Sequence, residues 1–209
     1  MSPPQGGSKA VLISGCGFSR LALEELLSSG TVDAVSSTVQ ARQVCQSGTT
    51  GVVVHLQGGL KGIVAELCGL VALLEGLPSA CPVVLLTEMS RSCALALLML
   101  AHMPEAQLAR VRVVRDRLSP GRIRGLLQDA LRGERTVCGL FPAAKALKPA
   151  ELRVLRALLY GIPVYRQTRV YGLSVKTLYA RLYSALRRMR VNGKHALLCG
   201  DFYRQDCRQ

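Results

Sequence analysis

Along the stretch GLSVKTLYARLYSALRRM, residues 172–189, cationic and hydrogen-bonding side chains return at steps of three and four. At about 100° per residue, Lys176, Ala180, Tyr183, Ser184 and Arg187 fall on one face of a helix, with Tyr179 on its flank. The opposite stripe, Leu178, Leu182, Ala185, Leu186 and Met189, is apolar and belongs in a core. A face that mixes positive charge, hydroxyls and small apolar surface suits a DNA major groove. There Lys and Arg meet phosphates or guanine edges, while Tyr and Ala meet bases and thymine methyls. A merely solvated face is the plainer alternative, so the surrounding elements have to decide.

Those elements read as helices with punctuation. KPAELRVLRALLYGI carries Leu152, Leu155, Leu158 and Leu159 at helical spacing, with Pro149 near its start and Gly161 just past its end. A second short segment, PVYRQTRVYG, opens on Pro163 and closes on Gly172, where glycine can take the left-handed turn that ends a helix. Ser174 is then a natural N-cap for the third helix. Two helices joined by the tight YGLS turn form a helix-turn-helix pattern. After Val191, NGKHALLCGDFYRQ predicts a further helix with Ala196, Leu197, Leu198 and Phe202 on its apolar side.

Charge and aromatic content mark this part off from the rest. The 209 residues carry a net +14, and residues 146–209 hold 13 basic and 3 acidic residues, a net +10. All six tyrosines, at 160, 165, 171, 179, 183 and 203, lie there as well. Basic residues concentrated with aromatics in a compact unit point to a nucleic-acid face.

The N-terminal part alternates β-branched apolar runs with stretches of helical length. AVLIS (10–14), VDAVS (32–36), GVVVHL (51–56), PVVLLT (82–87) and RVRVV (110–114) are bounded by Gly, Pro, Ser and Thr. Five such units predict a parallel sheet between helices, since parallel strands need crossovers and hide both faces. SGCGFS after the first strand is only a loose glycine turn, not a dinucleotide fingerprint. The eight cysteines include no C-x-x-C pair and are expected mostly as small buried residues, with Cys207 the one most exposed. Residues 60–76 and 92–103 read as buried helices rather than membrane spans. MSPPQGGSK lacks the order of a secretory signal, so the expected location is the cytoplasm.

In the order and spacing of KAVLIS…FSRLALEELLSS, CPVVLLTEMS and VVRDRLSPGRIRGLLQDALRG, this half resembles the receiver domain of bacterial response regulators. The segment 147–191, LKPAELRVLRALLYGI…YGLSVKTLYARLYSALRRMRV, resembles the LuxR/FixJ (NarL-like) helix-turn-helix, with Glu151, Gly161-Ile162 and LSVKT at 173–177 matching its pattern. The resemblance implies an α/β plus all-α chain: a flexible tail at 1–9, a doubly wound (βα)5 receiver-like domain at 10–133, a linker at 134–146 and a four-helix DNA-binding domain at 147–209. It implies that Lys176 and Thr177, with the amides of the helix start at Ser174, hold the phosphate backbone. Tyr179, Ala180 and Tyr183 then stand where the family reads bases. Thr168, Tyr165 and Arg166 depart from the family in the second helix, which predicts looser packing there.

The receiver's phosphorylation chemistry is missing from the sequence. The first strand ends Ser14-Gly15-Cys16 with no acid, the acceptor position falls on His55, and Arg115 stands at the end of strand five; Thr87 alone keeps the pattern. A magnesium ion and an acyl-phosphate both need carboxylates. His55 is therefore expected as a packed, hydrogen-bonded histidine, although a phosphohistidine switch is conceivable. His102 and His195 are isolated.

The resulting expectation is a bacterial, nucleoid-associated transcription regulator that is no enzyme and uses no cofactor and no metal. Its partner is double-stranded DNA, it forms a homodimer through the terminal helix or a heterodimer with another regulator, and it touches no membrane. Two other readings stand beside it. One is an accessory regulator acting through protein contacts; the other is a ligand or redox sensor built on Ser14, Cys16 and His55.

Overall fold

The computed structural model describes residues 9–27, 31–45, 49–132 and 147–199. Of the tail expected at 1–9, Lys9 opens the first strand, and residues 1–8, the linker expected at 134–146, Phe202 and Cys207 lie outside the described residues.

Five strands, β1 (Lys9–Ser14), β2 (Thr31–Val35), β3 (Thr49–Leu56), β4 (Val83–Thr87) and β5 (Val111–Arg115), form one parallel sheet in the order β2-β1-β3-β4-β5. Each matches a predicted apolar run to within two residues at either end. The order reverses beside β1, as a doubly wound sheet requires. Between the strands lie α1 (Gly17–Leu26), α2 (Thr38–Val44), α3 (Leu60–Leu74), α4 (Arg91–Leu100) and the single turn α5 (Glu105–Leu108), which the sequence pattern did not announce. After β5 come α6 (Pro120–Leu131), α7 (Pro149–Leu159), α8 (Val164–Tyr171), α9 (Val175–Met189) and α10 (Gly193–Cys199).

The described residues divide into two compact units. One takes the chain up to Gln57, Glu66–Glu88 and Pro104 onward through α6; the other takes Gly58–Ala65, Met89–Met103 and the helices from α7 on. In the first, Leu12, Val53, Val84 and Val114 from the sheet meet Leu23 and Leu27 at α1 and Ile123, Leu127 and Ala130 of α6 in one buried cluster. The alternate strand positions Val11, Ile13, Val52, Val54 and Leu85 are buried too, so the strands hide both faces and read as continuous apolar runs. Gly69 of α3 lets α2 come close, because a methyl group there would overlap Thr38.

In the second unit, α7, α8 and α10 all pack on α9. The predicted stripe Leu178, Leu182, Ala185, Leu186 and Met189 is fully buried, and so are Val154 and Leu155 of α7 and Val164 of α8, the helices packed on α9. The predicted punctuation is in place. Pro149 opens α7, and Gly161 (φ +77°) follows it, while the Ile162 amide donates to the Ala157 carbonyl at 2.9 Å. Gly172 ends α8 in the left-handed conformation. That bond spanning six residues, with a left-handed residue inside it, is how a helix satisfies its last carbonyls. Arg190 ends α9 in the same way at φ +57°, with the Val191 amide on the Leu186 carbonyl at 2.9 Å.

Candidate nucleic-acid interface

Ser174 begins α9 in extended backbone, and its hydroxyl accepts the Thr177 amide at 3.1 Å. The Ser174 and Thr177 hydroxyls also meet at 2.8 Å, so both sit at the helix start where free amides and the positive end of the dipole favour an anion. From there Lys176, Ala180, Tyr183 and Arg187 run along one exposed side. Tyr179 and Tyr183, four residues apart, stack with ring centroids at 6.0 Å and planes 24° apart. Tyr183 remains 53% exposed, a large apolar surface for a side chain held in place by a neighbour. The face therefore carries two cations with a stacked tyrosine pair between them.

Ser184 departs from the expected face. It lies on the flank, and its hydroxyl donates to Oε1 of Glu151 at 2.6 Å. One turn later, Arg188 Nε lies 3.2 Å from the same oxygen. The other oxygen, Oε2, accepts the Lys148 amide at 2.7 Å and caps α7. Burial alone would push the Glu151 carboxyl up, but the Ser184 hydroxyl, the Lys148 amide and the Arg188 guanidinium outweigh it and hold it below the ordinary carboxylate range. The sequence pattern marked Glu151 by resemblance and gave no sign of this cluster, because its members come from two helices 33 residues apart.

Packing around α8 answers the expectation raised by its unusual residues. Thr168 turns its hydroxyl back to the Tyr165 carbonyl at 2.7 Å. Gln167, wholly buried, donates from Nε2 to the carbonyls of Val154 at 3.3 Å and Ile162 at 3.0 Å. A buried amide thus fastens α8 to α7, and nothing in the sequence had singled out Gln167. Tyr165, Arg166, Arg169 and Val170 point outward, with the Arg166 guanidinium 5.9 Å from the Tyr165 ring centre. In α10, Leu197 is buried and Leu198 is 46% exposed.

The other polar cluster lies at the carboxyl edge of the sheet. The parallel register sets Ser14 beside His55 and Thr87 beside Arg115. Ser14 Oγ lies 3.3 Å from His55 Nδ1 and 3.3 Å from the Cys16 carbonyl. His55 Nε2 faces Asp116 Oδ2 at 3.6 Å, beyond hydrogen-bond distance. Near them, burial and then the Asp116 charge push the Glu88 carboxyl up. His55 is thus packed among polar partners, as expected. Its acidic neighbours went unseen because they stand in the turns after β4 and β5.

These donors do not fit the carboxylate-held magnesium site that the resemblance implies, because the ends of β1 and β3 supply a hydroxyl and an imidazole instead. Among the described residues, no group of three or more His, Cys, Asp or Glu side chains could hold a metal. Also among them, no helix is long and apolar enough to cross a membrane. Cys81 and Cys93 are buried as expected, whereas Cys68 is exposed on α3, and Cys16 and Cys45 are half-buried.

A structure of the two-component response regulator RcsB in complex with DNA superposes with a TM-score of 0.56 at 16% identity, covering 91% of this chain and 96% of that one. The fold is that of a receiver followed by a helix-turn-helix domain. RcsB from Salmonella enterica serovar Typhimurium, bound to promoter P1flhDC, gives 0.56 at 15% identity over 91% of this chain and 96% of that one. Two RcsB dimers on two parallel DNAs give 0.53 at 15% over 93% and 97%. No protein-family model matches the chain, and no curated protein matches it in sequence.

Proposed function

We propose that this chain is a DNA-binding transcription regulator of the response-regulator type, of LuxR/FixJ kind. Its receiver-like domain spans 10–133 and its DNA-binding domain 147–209. The observation that carries the reading is α9: a capped helix start followed by an exposed line of Lys176, Ala180, Tyr183 and Arg187 on a fully buried apolar stripe. Ser174, Lys176 and Thr177 grip phosphates, with backbone amides adding to the grip. Tyr179, Ala180, Tyr183 and Arg187 meet base edges in the major groove. Ser184 supports the helix from its flank. The fold shared with RcsB, which is solved on DNA, supports the reading.

Regulation here does not use phosphorylation at the third strand, because that position is a histidine faced by a hydroxyl and a carboxylate. Control falls to dimerisation or to a partner. A dimer suits paired half-sites, and the exposed Leu198 of α10 supplies apolar surface for it.

The test is selection of bound fragments from genomic DNA, followed by affinity against salt for the wild type and Tyr183→Ala. The expected result is enrichment of a dyad-symmetric site, on which Tyr183→Ala costs about 1–3 kcal/mol while binding to random DNA barely changes. Steeply salt-dependent binding with no preferred sequence would reduce the face to a phosphate grip and move specificity to a partner.

A further inference from the structure

We propose that Glu151 is a positioning residue for DNA reading: through Ser184 and Arg188 it fixes the rotation of α9 about its own axis, and so decides which base edges Tyr183 and Arg187 reach. The inference rests on the DNA-binding reading above.

Ser184 and Arg188 are four residues apart, so they form one strip along the helix. Each directly follows an open-face residue, Tyr183 or Arg187, and therefore lies about 100° around from it. The apolar stripe opposite presses α9 onto α7 and sets its rotation coarsely, since apolar contact is non-directional. Directional bonds on the flank fix the angle finely. Glu151 supplies them from a buried position, since it is 3% exposed and its Oε1 takes both Ser184 at 2.6 Å and Arg188 at 3.2 Å. Its Oε2 is tied to the backbone of α7 through Lys148 at 2.7 Å, so the carboxylate itself cannot drift. A 30° rotation of α9 would carry a side-chain tip about 3 Å, several times the tolerance of a hydrogen bond. The carboxyl is held ionised by the same three donors, against the upward push of burial.

The test uses the full chain, the duplex recovered by genomic selection and a scrambled duplex of equal length. Ser184→Ala removes only the cross-helix hydroxyl, and Glu151→Gln removes the charge while keeping the shape. Both should weaken binding to the selected duplex about tenfold, roughly the worth of one hydrogen bond to a charged group. Binding to the scrambled duplex and the salt slope should stay as in wild type, because no phosphate contact is lost. Ser184→Thr keeps the hydroxyl and should restore selectivity. The Tyr183 ring signals in NMR spectra of the free protein should move in Ser184→Ala and not in Ser184→Thr. Should Glu151→Gln fail to fold, the two Ser184 variants carry the comparison. Equal losses on both duplexes, or no loss on either, would overturn the positioning role while leaving the DNA reading intact. A wild-type protein that cannot tell the duplexes apart would bring down the DNA reading, and this inference with it.

Discussion

At the carboxyl edge of the sheet, Ser14, His55 and Asp116 turn their polar atoms toward one another under cover, whereas along α9 Lys176, Tyr183 and Arg187 stand in solvent. Both regions are built from a few polar residues on a buried apolar base. The difference lies in what the polar groups are left to meet. At the sheet edge the Ser14 hydroxyl meets one nitrogen of the imidazole at 3.3 Å and a carboxylate faces the other at 3.6 Å, so the polar groups are turned inward, away from an outside partner. On α9 the internal bonds are confined to the flank, through Ser184, Arg188 and Glu151, and the face itself is left open. A polar constellation is a binding surface when its partners are missing from the chain, not when its residue types look reactive.

The largest effect that would sharpen this contrast is within one helix. Leu182 is fully buried and its neighbour Tyr183 is 53% exposed. Leu182→Ala should cost about 2–5 kcal/mol of stability, read by chemical denaturation followed through helical circular dichroism. Tyr183→Ala should leave stability within about 0.5 kcal/mol. If the tyrosine proved as costly as the leucine, the open face would be part of the core and the comparison would fail. Next in size is His55→Ala. It removes the buried imidazole that Ser14 meets at 3.3 Å and Asp116 faces at 3.6 Å, and should cost about 1–3 kcal/mol while leaving the affinity of the folded protein for DNA unchanged. A loss of DNA affinity at full foldedness would mean that the sheet edge takes part in function.

Much of this was legible in the sequence for physical reasons. The strands were visible because a parallel sheet buries both faces, so Val52, Val53 and Val54 form an unbroken apolar run. The helix α9 was visible because Leu178, Leu182, Ala185 and Met189 repeat at the helical period and Ser174, Gly161 and Gly172 mark helix ends. What stayed hidden depends on tertiary proximity. Asp116 meets His55 only once β3 and β5 lie in one sheet. Ser184 looked like part of the open face because a wheel of about 100° per residue cannot say where a flanking residue finds a partner, and that partner sits on α7. Gln167, polar and buried at once, contradicts the simplest pattern rule, and only its bonds to Val154 and Ile162 explain it.

A smaller effect concerns the helix ends that frame the open face. Gly172 and Arg190 both sit in left-handed backbone, but only glycine does so freely. Arg190→Gly should therefore gain about 1 kcal/mol, near the cost of holding an L-residue in that conformation, measured as a raised denaturation midpoint. Gly172→Ala should lose a similar amount. Opposite signs at two neighbouring caps would show that backbone strain, not side-chain contact, governs them.

The smallest effect on stability, and the one most specific to the comparison, is the titration of two carboxyls. Glu151, beside α9, is held below the ordinary range: burial pushes it up, but the bonds from Ser184, Lys148 and Arg188 win. Its contribution is present above the ordinary carboxylate pKa of about 4.3 and is lost as pH falls through the lower value of the folded protein. Glu88, at the sheet edge, is pushed the other way by burial and by the charge of Asp116. A raised carboxyl binds its proton more tightly when folded, so Glu88 favours the fold at acid pH, and that contribution fades as pH rises through its raised value. Carboxyl NMR titration of the folded protein should place the Glu151 midpoint below the Glu88 midpoint. Ser184→Ala should raise the first and leave the second where it is. Coincident midpoints would mean that the bonds converging on Glu151 do not hold in solution, and with them would go the distinction between a sheet-edge carboxyl raised by burial and the nearby Asp116 charge and a helix-flank carboxyl pinned by its donors.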